Sequence, residues 1–111
     1  MSDTTADFAA LDMRVGTVIA AEPFPEARKP ALKLTIDFGP ELGVKRSSAQ
    51  VTVHYSPDAL VGTQVIAAVN LGTRRIAGFL SEVLVLGAVP VQGEVILLRP
   101  DRQVPDGARI S

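Results

Sequence analysis

Residues 32–38, LKLTIDF, alternate apolar and polar positions, so that Leu32, Leu34, Ile36 and Phe38 share one face while Lys33, Thr35 and Asp37 share the other. A two-residue period predicts a half-buried strand. MRVGTVIAAEPF (13–24) predicts a long first strand with Gly16 as a bend or bulge, and EPFPEARKP (22–30), with three prolines, predicts the loop that leaves it. RSSAQVTVHY (46–55) reads as a third strand. SPDALVG (56–62) reads as a short helix, with Ser56 as N-cap, Pro57 at the first position and Gly62 as terminator. Further strands are predicted over 64–71, 82–88 and 94–99, a turn and short closing segment over 105–110, and a short helix over 6–12.

Many short strands, punctuated by Gly and Pro, predict an all-β domain. Five principal strands with a helix between the third and fourth is the order of an OB-fold, a Greek-key barrel, here with short helices and terminal extensions. An immunoglobulin-like sandwich fits the same spacings. The expected domain spans 8–111 behind a flexible N-terminus over 1–7. Val65 to Val69, Val83 to Leu86 and Val95 to Leu98 are apolar on both faces. An antiparallel barrel uses only one face of each strand for its core, so these strands predict a covering surface, either a second copy in a homodimer or the protein's own loops and termini.

At 111 residues and 47% hydrophobic, the chain has the size and apolar content of one folded domain. No basic-then-apolar leader and no apolar run of roughly 20 residues appears, which predicts a cytoplasmic protein without membrane insertion. The absence of cysteine removes thiolate nucleophiles and cysteine metal ligands. A net charge of −1 provides no global attraction to nucleic acid, so any anion site has to be local.

Catalytic chemistry has little to work with. The one histidine, His54, lies in the expected third strand with no nucleophile placed against it, and the twelve acidic residues are scattered rather than clustered for a metal. Neither a phosphate-binding glycine loop nor a dinucleotide fingerprint is present. Ser47 and Ser48 adjoin Lys45 and Arg46, but neighbouring strand residues face opposite ways. The expectation is a protein that is not an enzyme and needs no cofactor.

The cations are distributed more suggestively. Arg28 and Lys29 fall in the loop after the first strand, Lys33 on the second strand, Lys45 and Arg46 at the start of the third, and Arg74 and Arg75 after the fourth. In an OB barrel the binding face is formed by strands two and three and their flanking loops, which is where these seven fall. Bases would need aromatic platforms, for which Phe24, Tyr55 and Phe79 are candidates; packing in the core or along an apolar groove is the other reading.

Six blocks in order, DMRVG (12–16), KLTIDFG (33–39), YSPDALVG (55–62), NLGTRRIAG (70–78), SEVLVLGA (81–88) and PDRQVPDG (100–107), resemble the tRNA-binding-domain family. That module occurs as a free dimer and as an appendage of aminoacyl-tRNA synthetases. Asn70, Leu71, Arg75, Ser81 and Arg46 match its binding-surface pattern. Thr73 replaces a proline, Val83-Leu84 a Gly-Met pair and Gln50-Val51 a Ser-Gly pair, departures that resemble the branch of secretion-associated chaperones. Valine in place of glycine adds bulk where backbone would approach phosphate and favours peptide-like contacts. The resemblance implies a homodimer that binds unfolded or signal-bearing polypeptides, with the export ATPase as a further partner, or alternatively tRNA or structured RNA. Taken together with the barrel's expected binding face, the candidate residues for binding polypeptide or tRNA are Arg28, Lys33, Arg46, Ser48, Gln50, Asn70, Arg74, Arg75, Phe79, Ser81 and Glu82. Glu22, Glu26 and Glu82 are the candidates for balancing the groove's positive charge, a point the sequence leaves open.

Overall fold

Alternation in residues 32–38 translates directly into burial: Leu32, Leu34, Ile36 and Phe38 are all buried, and the residues between them are not. The structure, a computed structural model, describes residues 10–111, so the flexible N-terminus expected over 1–7 and most of the helix expected over 6–12 lie outside the described residues. Along the chain run β1 (Met13–Pro23), β2 (Leu32–Asp37), α1 (Gly39–Leu42), β3 (Val44–Ala49), α2 (Pro57–Leu60), β4 (Gln64–Ala68), β5 (Arg74–Ile76), β6 (Phe79–Ser81), β7 (Leu84–Val85), β8 (Gly87–Val91) and β9 (Glu94–Leu97).

Five strands form one antiparallel sheet in the order β3-β2-β1-β4-β7. The sheet curls into a nearly closed OB-like barrel, and one continuous sheet with its two edges drawn together sets the sandwich aside. Its interior holds Val18, Leu34, Ile36, Phe38, Val65 and Ala67. Burying each of the larger side chains contributes about 1.5–3 kcal/mol. Leu60 of α2 adds its side chain to this core. As expected, Ser56 caps that helix, its Oγ accepting from the Ala59 amide at 3.3 Å, and Pro57 opens it.

Gly16 is neither a bend nor a bulge. A Cβ at this position would lie 2.6 Å from Ile36 Cγ2 and 2.7 Å from Phe38 Cδ1, so glycine lets β1 pass close over the core side chains of β2. The irregularity in β1 falls between Val18 and Ala20.

Three expectations change. The third strand ends at Ala49, not Tyr55, because Ala49 pairs with Leu32, the first residue of β2, and the ladder has no partner beyond it. Val51 then turns into the core and residues 52–54 form a turn, so His54 is exposed in that turn, against Glu94. The strand expected over 82–88 breaks in two at Leu86, whose amide donates to Ile66 of β4 at 2.9 Å while its carbonyl accepts from Leu98 at 3.1 Å. Here the chain leaves the barrel and begins the β8–β9 hairpin. The connection after β4 also contains a hairpin, β5–β6, with Arg74 opposite Ser81 and Ile76 opposite Phe79.

The closing segment lies against β1, where Val15 donates to Ala108 at 2.9 Å, Gly107 to Val15 at 2.7 Å and Ile110 to Met13 at 2.9 Å. Gln64 reinforces it with both ends of its amide: Nε2 donates to the Val104 carbonyl and Oε1 accepts from the Val104 amide. Arg14, absent from the basic residues that the spacing singles out, joins three separate segments by donating to Asp12, Glu41 and the Gly107 carbonyl. The Asp12 carboxylate raises the guanidinium pKa further above its ordinary value. Among the described residues no helix is long and apolar enough to cross a membrane.

Candidate functional site

The open edge of β3 is joined to residues 81–83 largely through side chains. Ser47 Oγ donates to the Val83 carbonyl at 3.0 Å, the Ser48 amide donates to Ser81 Oγ at 3.0 Å, and the Arg46 amide donates to Glu82 Oε1 at 3.0 Å. The Glu82 amide returns a bond to the Arg46 carbonyl at 2.8 Å. Ser81 and Glu82, expected to contact a ligand, thus have acceptor atoms engaged in closing the barrel. Asn70 is similarly engaged: its Oδ1 accepts from the Asp12 amide and its Nδ2 donates to the Ala10 carbonyl, holding the chain as it enters β1.

From this seam the β5–β6 hairpin extends over the outside of the barrel. Its turn, Ala77-Gly78, has positive φ at both residues, 47° and 83°. Such a turn matches the twist of a two-stranded ribbon but favours Asn-Gly over Ala-Gly. Phe79 anchors the hairpin by packing edge-on against Phe24 of the β1–β2 loop, with centroids 5.3 Å apart, alongside Ala31, Ala27 and Ile76. Lys33 Nζ lies 4.8 Å from the Phe24 centroid, and the Arg46 guanidinium carbon lies 4.5 Å from that of Phe79. The proposed platforms are therefore covered: Phe24 is 3% exposed and Phe79 6%. Tyr55 is partly buried, and its hydroxyl accepts from the Leu97 amide at 3.0 Å.

Beside this cluster lies an open cleft of about 440 Å³. Arg28 and Lys29 reach it from the β1–β2 loop, Ser48 and Gln50 from the end of β3, and Arg74 from β5. Its apolar lining comes from Val51, Ile76, Leu84, Val85 and Val95. The fold thus brings together Arg28, Ser48, Gln50 and Arg74 from the expected set, while Lys33, Arg46 and Phe79 form the neighbouring stack. Arg75 does not line the cleft, because consecutive residues of a strand point to opposite faces. The apolar lining is what basic-residue spacing misses. Its signal is the double-faced hydrophobicity of 83–86 and 95–98, one part of which faces this cleft.

Charge in the cleft is unbalanced. Arg28, Lys29 and Arg74 are exposed, and none belongs to an ion pair among the described residues. Glu22 instead lies 3.9 Å from Arg46, and Glu82 accepts from its amide, so neither balances the cleft.

The family model described as "Putative tRNA binding domain" matches residues 13–109. A crystal structure of chaperone CsaA from Bacillus anthracis strain Ames superposes with a TM-score of 0.94 at 55% identity, covering 100% of this chain and 99% of that one. The CsaA chaperone protein from Picrophilus torridus superposes with a TM-score of 0.90 at 45% identity, covering 99% of this chain and 100% of that one. The methionine–tRNA ligase of Flavobacterium johnsoniae is 31% identical over 105 residues, which are 95% of this chain but 14% of the ligase. The likeness to the two chaperones covers the whole length of this chain or nearly so.

Proposed function

The chain belongs to the tRNA-binding-domain family, and from that premise we propose that it is a non-catalytic, homodimeric, cytoplasmic chaperone of the CsaA kind that binds unfolded or exported polypeptides. The observation that carries this reading is the cleft between the β1–β2 loop, the end of β3 and the β5–β6 hairpin, whose apolar lining suits side chains of an unfolded segment and whose Ser48 and Gln50 supply polar groups for its backbone. Adaptable apolar contact of this kind favours broad specificity. Likeness to two CsaA chaperones over the whole chain supports the same reading.

The homodimer rests on the β8–β9 hairpin. Val89, Val91, Ile96 and Leu98 are 60%, 58%, 39% and 42% exposed, and a second copy is the most economical cover for that apolar surface.

The second reading, binding of tRNA or structured RNA, is favoured by the exposed Arg28, Lys29, Arg74 and Arg75 and by the family itself. Against it stands the burial of Phe24 and Phe79, which leaves bases no aromatic platform there. Binding of a reduced, unfolded polypeptide and of total tRNA, each titrated with salt, separates the two. Polypeptide binding that persists at high salt, with weak tRNA binding, is the expected result. Tight tRNA binding that falls steeply with salt, and loses about one unit of slope for each of Arg74→Ala and Arg75→Ala, would transfer the assignment to RNA.

A further inference from the structure

We infer that the polypeptide segment held in the cleft carries acidic side chains beside its apolar residues, and that the cleft discriminates against segments rich in lysine and arginine. This rests on the polypeptide-binding reading above and specifies its substrate class. Three cations, Arg28, Lys29 and Arg74, border the cleft, and among the described residues no acidic residue lines it. They come from two separate elements, the β1–β2 loop and β5, so the positive charge does not depend on one segment alone.

The acidic residues that would have neutralised this rim are held elsewhere. Glu22 pairs with Arg46, and the Glu82 carboxylate accepts from the Arg46 amide within the barrel seam. Glu26, in the same loop as Arg28, does not line the cleft. An occupant lying over Val51, Leu84 and Val95 therefore passes through the positive field of exposed side chains. A carboxylate in the occupant meets guanidinium donors suited to bidentate bonding, whereas a lysine or arginine meets like charge next to an apolar floor that limits solvation. For an exported protein, the segment gripped is then an acidic, apolar stretch rather than a basic end.

The test uses the full chain and three fluorescent peptides with one shared apolar block, flanked by aspartates, asparagines or lysines. Anisotropy is measured at roughly 0.1 M salt and again at about 0.5 M. The expected order is aspartate over asparagine over lysine, with roughly five- to tenfold between the first two, the scale of two or three partly exposed charge pairs. High salt should narrow that gap while leaving the asparagine peptide bound. Charge reversal at Arg28→Glu with Arg74→Glu should invert the order; both side chains are exposed, and a thermal melt checks that the fold is kept.

Equal affinity for the aspartate and asparagine peptides, or preference for lysine, overturns the charge rule while leaving polypeptide binding intact. Failure of all three peptides and of an unfolded polypeptide removes the underlying reading and this inference with it. Capture of tRNA in place of every peptide, lost in the charge-reversed variant, overturns both in favour of RNA.

Discussion

The four barrel strands between Met13 and Ala68 and the stretch from Leu71 to Leu98, which adds the two-residue fifth strand β7 and two hairpins, are built on opposite terms. In the first, long strands pair over many residues and bury one face completely: β1 contacts β2 and β4 on its two sides, and Val18, Leu34 and Ile36 are fully enclosed. In the second, five strands of two to five residues each change partners, and Leu71, Leu80, Leu84, Val89, Val91, Ile96 and Leu98 remain exposed. Apolar residues do different work in the two regions. Between Met13 and Ala68 most of them fill the core; from Leu71 onward most of the large ones form surface, and Leu84 of that surface lines the cleft beside its cations.

Replacing one buried phenylalanine in each region probes the contrast most strongly. Phe38→Ala removes the largest enclosed side chain of the core and should cost about 3–5 kcal/mol of global stability, read from the urea midpoint. Phe79→Ala removes the anchor of a small outlying cluster, so hydrogen exchange should accelerate across residues 74–81 while amides of β1 and β2 keep their protection. Equal losses of protection in both regions for Phe79→Ala would show the hairpin to be integral to the barrel.

The seam between the regions comes next in size. Ser47→Ala leaves the buried Val83 carbonyl without its 3.0 Å hydroxyl donor and should cost about 1–3 kcal/mol, despite removing a single oxygen. An unchanged urea midpoint would mean that the backbone contacts of Glu82 suffice to close the barrel. The smallest effect is expected at the hairpin turn. Ala77 has φ 47°, a conformation that costs a side chain about 1 kcal/mol and glycine little, so Ala77→Gly should slow exchange in β5 and β6 without shifting barrel stability appreciably.

The same division explains what the sequence makes legible. β2 can be read from alternation alone, and α2 from Ser56, Pro57 and Gly62, because each signal lies within a few consecutive residues. α1 is only four residues long, too short for hydrophobic periodicity to register. The seam is harder still: Ser47 meets Val83 across 36 residues of sequence, and a serine hydroxyl closing a barrel has the same local appearance as one awaiting a ligand. That is why Ser81 and Glu82 stand among the expected binding residues yet are engaged within the fold. Arg28, Ser48, Gln50 and Arg74 do converge, because they lie on the strands and loops that flank the binding face of this barrel type. Arg74 and Arg75 separate because strand β5, hidden within an apparent connection, sends them to opposite faces.

Hydrogen-exchange mapping of the protein with and without a bound unfolded polypeptide tests most directly whether function resides in the second region and its border. Protection concentrated in residues 27–31, 48–51, 74–76 and 84–85, with the outer faces of β1 and β4 unchanged, is the result this account predicts. Protection confined to residues 99–103, which line a separate surface pocket with Gly62 and Gln64, or spread evenly over the barrel would contradict it.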